Sequence, residues 1–335
     1  MKTLVINRSE VRTLLPMDEC IEVISQTLRS LVKGDAVQPL RSAMRLPEKT
    51  GVIGMMPAFL GKPKALGVKV LSVFPGNAGI GFESHQGGVL LFDPDYGRLL
   101  AVIDAGEITA VRTAAASAVA TQLLANQDAA DLALLGSGTQ ACSHLEAMLL
   151  VRNIERVRVW SLPLEHAQRF AERESSRQGI KIEFVDTAQA AVDGADIICT
   201  LTPAKEPVLL GKWIPAGAHI NAVGASNRFA RELDTDAVVK SRMFVDRKES
   251  VLNEAGDFLF PKKEGAVDDA HILGEIGDIL LGNLKGRQNR EEITLFEALG
   301  LSAEDVAAAH HVYGKALEDG IGTPVDLTGG IHEES

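Results

Sequence analysis

The chain has 335 residues, of which 46% are hydrophobic and only 4% aromatic, so it is long enough for two domains with sizeable cores. Its formal net charge of −11 argues against nucleic acid or an anionic membrane surface as a partner. No apolar run reaches transmembrane length and the first residues lack a secretory signal, so we expect a cytoplasmic protein that does not bind membranes.

The beginning of the chain predicts one helix followed by a sheet of short strands. Helical spacing of apolar residues predicts a helix over 17–32, with Pro16 before it and Gly34 after it. A later helix over 108–124 is unusually rich in small residues, which permit close packing. Runs of β-forming residues predict an antiparallel or mixed sheet between these helices, with strands over 39–46, 51–56, 65–74, 87–92 and 99–103.

The stretch 131–150 has the pattern of a dinucleotide-binding unit. A short apolar run predicts a buried strand, a glycine turn follows, and helical spacing comes next. In this G-x-G-x-x-A pattern, Gly136 permits the tight turn and Gly138 lets the backbone approach a pyrophosphate, while Ala141 keeps the helix close to the strand. A glycine turn without a ligand is the alternative, but both flanks fit and favour dinucleotide binding.

The remaining chain alternates strands with helices, which predicts a doubly wound parallel sheet. After Val251 the pattern predicts mainly helices, with Ser302 as the N-cap of the last one, and an exposed loop over 261–265. The predicted strands are 157–160, 182–184, 197–200, 219–223 and 243–245, and the predicted helices are 164–176, 190–192, 272–281, 295–299 and 302–317.

Neither the cysteines nor the paired histidines have the spacing of a metal site. Cys20, Cys142 and Cys199 lie far apart in apolar segments, which predicts buried structural thiols. His310 and His311 are adjacent on a predicted helix and therefore do not share a face. We predict no metal.

Three cations, Arg41, Lys69 and Arg112, stand in small or apolar surroundings. A buried cation needs a partner, and together these three could form a carboxylate-binding pocket, for which the paired donors of arginine are suited. The alternative is three internal ion pairs with acids such as Glu83, Asp104 or Glu107.

Several stretches make the sequence resemble the ornithine cyclodeaminase/mu-crystallin family. They run from about Arg41 to the last helix and include LRSAMRLP, GMMPAFL, LGVKVLSVFPGN, SHQGGVLLFD, ITAVRTAAASAVAT, LLGSGTQA, ADIICTLTP, GAHINAVGAS and RELD. The resemblance implies a Rossmann domain over 126–304 and a mixed α+β substrate-binding and dimerisation domain formed by 1–125 and 305–335, in a homodimer.

The resemblance also implies which residues form the site. Arg41, Lys69 and Arg112 would face the carboxylate of an α-amino or α-imino acid. His85 is a site candidate or a structural hydrogen-bonding residue. Together with the glycine turn, the candidate cofactor-lining residues are Ser84, His85, Gln86, Arg112, Gly136, Gly138, Thr139, Gln140, Ser161, Thr202, Val223, Gly224 and Ser226.

One departure from the family separates its two branches. Cyclodeaminases carry an aspartate just after the GAHINAVG-like strand, where they use it as a base. Here that place is Gly224, Ala225, Ser226 and Asn227, and the next carboxylate is Glu232. The mu-crystallin-like branch, which includes ketimine reductases, has Gly-Ala-Ser at this place.

The sequence therefore predicts NAD(P)H-dependent reduction of a cyclic ketimine carboxylate, pyrroline-2-carboxylate or piperideine-2-carboxylate, to L-proline or L-pipecolate. Arg41 and Arg112 would bind the carboxylate, Lys69 would position the substrate or relay the proton, and Ser226 would orient the substrate. The alternatives are an ornithine cyclodeaminase or alanine-type dehydrogenase, and a non-catalytic protein that binds NADPH and a small ligand.

The choice between the two nicotinamide cofactors rests on the end of the second Rossmann strand. NAD-preferring folds place Asp or Glu there to bind the ribose hydroxyls, whereas this chain has Ser161. The arginine that often follows in NADPH-binding relatives is Leu162 here. We expect a slight preference for NADPH.

Overall fold

The computed structural model describes residues 2–77 and 81–327, and the chain divides into two compact units. The first comprises Met1–Arg112 and Leu301–Ser335, and the second Thr113–Gly300. The sequence instead placed the boundaries at 125/126 and 304/305; residues 328–335 of that prediction lie outside the described residues. The first division falls inside a helix, and Arg112, the last residue before it, pairs with carboxylates of the first unit.

Sixteen strands and eleven α-helices follow one another among the described residues, and none of these helices is long and apolar enough to cross a membrane. The strands are β1 (Thr3–Ile6), β2 (Ala36–Val37), β3 (Ser42–Arg45), β4 (Val52–Gly61), β5 (Lys64–Val73), β6 (His85–Phe92), β7 (Leu99–Asp104), β8 (Asp131–Leu135), β9 (Arg156–Trp160), β10 (Ile182–Phe184), β11 (Ile197–Thr200), β12 (His219–Ala222), β13 (Ser241–Val245), β14 (Ile272–Glu275), β15 (Ile293–Glu297) and β16 (Thr323–Val325). The helices are α1 (Arg8–Leu14), α2 (Met17–Val32), α3 (Ala105–Leu124), α4 (Thr139–Val151), α5 (Leu164–Gln178), α6 (Ala188–Val192), α7 (Thr235–Lys240), α8 (Lys248–Glu254), α9 (Gly256–Lys263), α10 (Ile276–Leu280) and α11 (Ser302–Asp319).

The first unit contains a mixed sheet, as the sequence predicted. Its order is β16-β1-β7-β6-β5-β4-β2, with β3 paired to β4, and only β1 and β7 run parallel. Helix α11 covers one face: a Cβ added at Gly67 of β5 would lie 3.0 Å from the Val306 side chain. Small residues on this face let the last helix approach the strands.

The other face of this sheet is apolar and half-exposed or exposed. Strand pairing aligns side chains from six strands on it, because directly opposed residues point to the same side. We call this surface the apolar outer face; it comprises Val5, Met44, Met55, Val68, Val70, Leu90 and Val102.

The second unit is built on a doubly wound parallel sheet with the order β10-β9-β8-β11-β12-β15-β13-β14. The chain moves outward from β8 in one direction through β9 and β10, and in the other through β11 and β12. The strand order therefore reverses beside β8, and ligands of such sheets bind at the carboxyl ends of the strands at this point.

Several predicted elements at the end of the chain were wrong. The segment 295–299 is not helical: Leu295 and Phe296 belong to β15, which lies between β12 and β13 and is buried on both faces. A continuous apolar run is compatible with either structure, so periodicity alone could not separate them. The segment 272–281 likewise begins as strand β14, and the supposed loop 261–265 is partly helix α9, with Pro261 buried.

Two smaller predictions also need correction. Ser302 is not the N-cap of the last helix, because Leu301 is the extended residue and Ser302 is already helical. The Ser302 hydroxyl instead donates to Gln38 Oε1 over 3.1 Å. Cys20 and Cys199 are buried thiols as predicted, but Cys142 is only half-buried and accepts a hydrogen bond from Arg173.

Candidate functional site

The glycine turn after β8 has the geometry of a phosphate-binding turn. Gly136 has φ +123°, and a Cβ there would lie 2.6 Å from the carbonyl oxygen of Leu201, so only glycine fits. Gly138 precedes α4 with an ordinary φ of −85°, and a Cβ there would meet nothing within 4 Å. The space at Gly138 and the N–H groups of α4, which begins at Thr139, leave room for an anion at the helix N-terminus. Gln140 follows in the same first turn.

The end of β9 carries a hydroxyl where many NAD-binding folds carry an acid. Ser161 directly follows β9 and is buried, and its Oγ lies 2.7 Å from the Oγ of Ser137 in the glycine turn. Leu162 beside it is 71% exposed. Ser161 is thus joined to the glycine turn by a hydrogen bond.

Glu232 holds together the loops that follow β11 and β12. Its Oε1 accepts hydrogen bonds of 2.6 Å from both the N–H and the hydroxyl of Thr202, and its Oε2 accepts one of 2.8 Å from the Gly224 N–H. A Cβ at Gly224 would lie 2.2 Å from the Thr202 carbonyl oxygen, so the loops touch closely. Val223 is buried here and Ser226 is half-buried. Sequence reasoning noted Glu232 only as a distant carboxylate and missed this role.

Glu232 belongs to a group of buried carboxyls that makes stability depend on pH. Burial raises the pKa of Glu232 to about 7 and that of Asp257 to about 8, and raises the pKa of Glu297 well above its usual range. Burial also lowers the pKa of His144 to about 4 and of His219 to about 3. As pH rises beyond 6.5 these histidines, already neutral in the folded state, also lose their protons in the unfolded state, whereas the folded state still holds carboxyl protons that the unfolded chain has lost.

The free energy of unfolding is therefore expected to fall as pH rises from about 6.5 to 8, because the folded state binds more protons over this window. Denaturant unfolding at several pH values measures it. Asp257→Asn should flatten the dependence, since Asp257 Oδ1 only accepts hydrogen bonds, from the Glu232 and Leu233 N–H groups, and Asn can still accept them. Stability that increased across this window would contradict the expectation.

The first unit brings two of the three predicted cations, Lys69 and Arg112, together in a buried ion cluster. Lys69 Nζ lies 2.6 Å from Asp305 Oδ2, and Arg112 donates from Nε to Asp305 Oδ1 over 2.8 Å and from Nη1 to Glu304 Oε2 over 3.0 Å. All four are almost fully buried; Lys69 is 3% exposed and Asp305 0%. Two cations from different elements thus share one carboxylate on α11.

The alternative of internal ion pairs holds for Lys69 and Arg112, but with acids other than those named as examples: their partners are Asp305 and Glu304. Glu83 and Asp104 pair with Arg8, and Glu107 pairs with Arg12. Sequence analysis did not connect Glu304 or Asp305 with these cations. Their distance from Lys69 along the chain hid the contact.

The proton of Lys69 is weakly held for a lysine. Burial and the positive charges of Arg112 and Arg41 lower the pKa of Lys69 to about 8, although Asp305 raises it. Arg41 is half-buried just before β3. Burial and the charge of Lys69 also lower the pKa of His85. These four groups therefore lie within electrostatic range of one another.

Of the residues predicted to line the cofactor, those of the second unit lie at the carboxyl ends of β8, β9, β11 and β12. Ser84, His85, Gln86 and Arg112, predicted with them, belong to the first unit. The Oγ of Ser84 lies 2.9 Å from His85 Nδ1, and Gln86 Nε2 donates to the Glu83 carbonyl oxygen over 3.1 Å.

Comparison with known proteins agrees with the resemblance in the sequence. Mouse ketimine reductase mu-crystallin is 40% identical over 280 residues, which cover 84% of this chain and 85% of that protein. The Δ1-pyrroline-2-carboxylate reductase of Bacillus cereus is 36% identical over 325 residues, or 97% of this chain and 100% of that protein. The solved structure of the Thermococcus litoralis Δ1-pyrroline-2-carboxylate reductase, in complex with NADH and L-proline, is 44% identical with a TM-score of 0.94, and covers 96% of this chain and 100% of that one.

The sequence profile of the ornithine cyclodeaminase/mu-crystallin family matches residues 1–320, which is nearly the whole chain. The resemblance inferred from the motifs is thereby confirmed, and so is the mixed α/β fold. The chain belongs to the ornithine cyclodeaminase/mu-crystallin family.

Proposed function

We propose that this protein reduces a cyclic ketimine carboxylate, Δ1-pyrroline-2-carboxylate or Δ1-piperideine-2-carboxylate, to L-proline or L-pipecolate with NAD(P)H. The observation that carries the proposal is the 44% identity over nearly the full length to a reductase that binds NADH and L-proline. The open space at Gly138 and the tight turn at Gly136 fit a dinucleotide, since backbone N–H groups there can reach its phosphates.

The reaction converts C=N into CH–NH, so a hydride must reach the imine carbon and a proton the imine nitrogen. A bound nicotinamide supplies the hydride. Arg41 and Arg112 bind the substrate carboxylate, and Lys69 supplies the proton directly or through water and regains one from solvent. Ser226 orients the substrate by a hydrogen bond. A lysine whose pKa is about 8 is charged at pH 7 yet gives up its proton more readily than an ordinary lysine.

A substrate screen tests this function. Purified protein with NADH or NADPH is given each cyclic imine, pyruvate with ammonia, or ornithine. We expect oxidation of the reduced cofactor with a cyclic imine. Ammonia release from ornithine would instead indicate a cyclodeaminase, oxidation with pyruvate and ammonia an alanine-type dehydrogenase, and cofactor binding without turnover a ligand-binding protein. The absence of a carboxylate from Gly224 to Asn227 disfavours the cyclodeaminase.

A slight preference for NADPH over NADH is part of the proposal. Ser161 presents a hydroxyl rather than a carboxylate at the end of β9, so it does not repel a 2′-phosphate. Ser161→Asp is expected to shift the ratio of the two catalytic efficiencies towards NADH by about tenfold or more, because a carboxylate accepts from the ribose hydroxyls and repels the phosphate.

The control is Ser176→Asp, which makes the same charge change at an exposed serine of α5. It should leave the ratio of kcat/KM values with the two cofactors unchanged. An equal shift in both variants, or no shift in Ser161→Asp, would remove Ser161 from cofactor selection.

A homodimer is also proposed, formed through the apolar outer face. A contiguous apolar sheet face is costly to leave in water, and Met44 and Met55 on it are 58% and 46% exposed. A second copy would cover it with the same face, as in two-fold symmetric dimers. The cytoplasmic location stays a prediction.

Met55→Glu is expected to convert the dimer to a monomer, because it places a charge within the apolar outer face. Size-exclusion chromatography with light scattering measures the mass. Leu317→Glu, at an exposed leucine of α11, is the control and should remain dimeric. A wild-type monomer, or a dimeric Met55→Glu protein, would contradict the proposed interface.

A further inference from the structure

The carboxylate shared by Lys69 and Arg112 comes from a part of the chain far from both of them in sequence. Asp305 lies in the first turn of α11, and its two oxygens take different partners: Oδ1 accepts from Arg112 Nε at 2.8 Å, and Oδ2 lies 2.6 Å from Lys69 Nζ. Asp305 is 0% exposed, so water cannot replace either contact.

We propose that Asp305 is a positioning residue that holds Lys69 and Arg112 at fixed separation and keeps the Lys69 ammonium group charged for proton donation. This inference rests on the proposed function and extends it to a residue that does not touch the substrate. The neighbouring acid, Glu304, has a different task, since its Oε2 accepts from Arg112 and from the N–H of Leu301 at the start of the helix.

The charges around Lys69 shift its pKa in opposite directions. Burial and the cations Arg112 and Arg41 favour a neutral amine and lower the pKa of Lys69, whereas Asp305 favours the ammonium and raises it, so that the pKa falls only to about 8. Thr109 accepts a hydrogen bond from Nζ over 3.3 Å and adds no charge. The titratable or charged groups surrounding the cluster are Arg41 before β3, His85 on β6, Arg112 on α3, Glu304 and Asp305 on α11, and Cys20 on α2.

The first test is the pH profile of kcat at saturating imine and cofactor. Asp305→Asn keeps an oxygen that can accept from Arg112 but removes the negative charge beside Lys69. Its alkaline limb is expected about 1 to 3 pH units below that of the wild type. Turnover should recover towards the wild-type value at pH values below the displaced limb, because Lys69 is then protonated again. A structural role alone would lower kcat by the same factor at every pH, and that result would overturn the inference.

Two further variants separate a specific effect of Asp305 on Lys69 from a general disturbance of the cluster. Arg112→Gln removes a positive charge near Lys69, so its alkaline limb should move to higher pH, whatever happens to KM for the imine. Glu304→Gln changes an acid that contacts Arg112 rather than Lys69, so its limb should stay close to that of the wild type. The same displacement in all three variants would contradict a specific Asp305–Lys69 coupling.

A measurement without substrate separates this inference from the proposed function. Lysine labelled with ¹³C at Cε is incorporated during expression, and the Lys69 signal is assigned by its loss in Lys69→Arg. Its titration should move to lower pH in Asp305→Asn and to higher pH in Arg112→Gln. If the two variants show these shifts but the wild type reduces neither imine, the proposed function alone is refuted. If the wild type is active but the variants show no shifts, the role of Asp305 is refuted.

Discussion

Lys69→Met is expected to lower kcat for imine reduction by about 10² to 10⁴-fold while leaving cofactor affinity unchanged. Methionine fills a similar volume but cannot donate a proton or pair with Asp305, whose Oδ2 lies 2.6 Å from Nζ. Asp305 keeps its hydrogen bond from Arg112, so the carboxylate is not left without a cation. Steady-state kinetics measure kcat, and the fluorescence of NADH and NADPH measures binding.

The control for this change is Lys64→Met. Lys64 is the first residue of the same strand, but its side chain is exposed and pairs with Asp95 at the surface. The kcat of Lys64→Met should match that of the wild type, because the exposed Lys64–Asp95 pair contributes little to stability and its loss should not disturb the fold. If Lys69→Met retained turnover within about threefold of the wild type, Lys69 would not be the proton donor, since general acid catalysis is worth far more.

Gly138→Ala is expected to weaken cofactor binding by about tenfold or more without lowering the melting temperature. The added Cβ meets no protein atom within 4 Å and Gly138 has φ −85°, so the fold tolerates it. The methyl group would instead occupy the space that the pyrophosphate needs, so it weakens cofactor binding rather than folding. Titration with NADPH and thermal unfolding measure the two effects.

Gly136→Ala should behave differently, because the fold itself has no room there. Its φ of +123° and the Leu201 carbonyl oxygen 2.6 Å from the added Cβ predict a destabilisation of roughly 1–3 kcal/mol or more, seen as a lower melting temperature. Gly314→Ala, at an open position on α11, is the control for both variants: it should leave cofactor binding unchanged and should not lower the melting temperature, because alanine favours a helix over glycine. If Gly138→Ala bound NADPH as the wild type does, the turn would not be the phosphate site.

The sequence predicted best where local pattern and tertiary context agree. The helix Met17–Val32 and the strands Ile182–Phe184 and Ile197–Thr200 have the predicted bounds. In the helix, the apolar spacing matches the face that it buries. Prediction from the sequence failed at β15, where burial on both faces removes any alternation. Such a strand is recognised only from the strands beside it.

The candidate site shows the same division. The glycine turn could be located from spacing alone, since its geometry is local to β8 and α4. The partners of Lys69 and Arg112 could not, because Glu304 and Asp305 are nearly two hundred residues away from Arg112 along the chain. Glu232 was missed for a related reason: nothing in its neighbourhood indicates that it is buried against Thr202.

The discontinuity of the first unit has a consequence for folding during synthesis. Thr113–Gly300 is continuous and can fold as soon as it leaves the ribosome, whereas the sheet of the other unit lacks α11 until Leu301 and the residues after it are made. Until then Lys69 lacks Asp305, and its buried charge opposes closure of that core. A nascent chain arrested before residue 301 should therefore expose the β4 and β5 segments to protease while its nucleotide-binding half is already resistant.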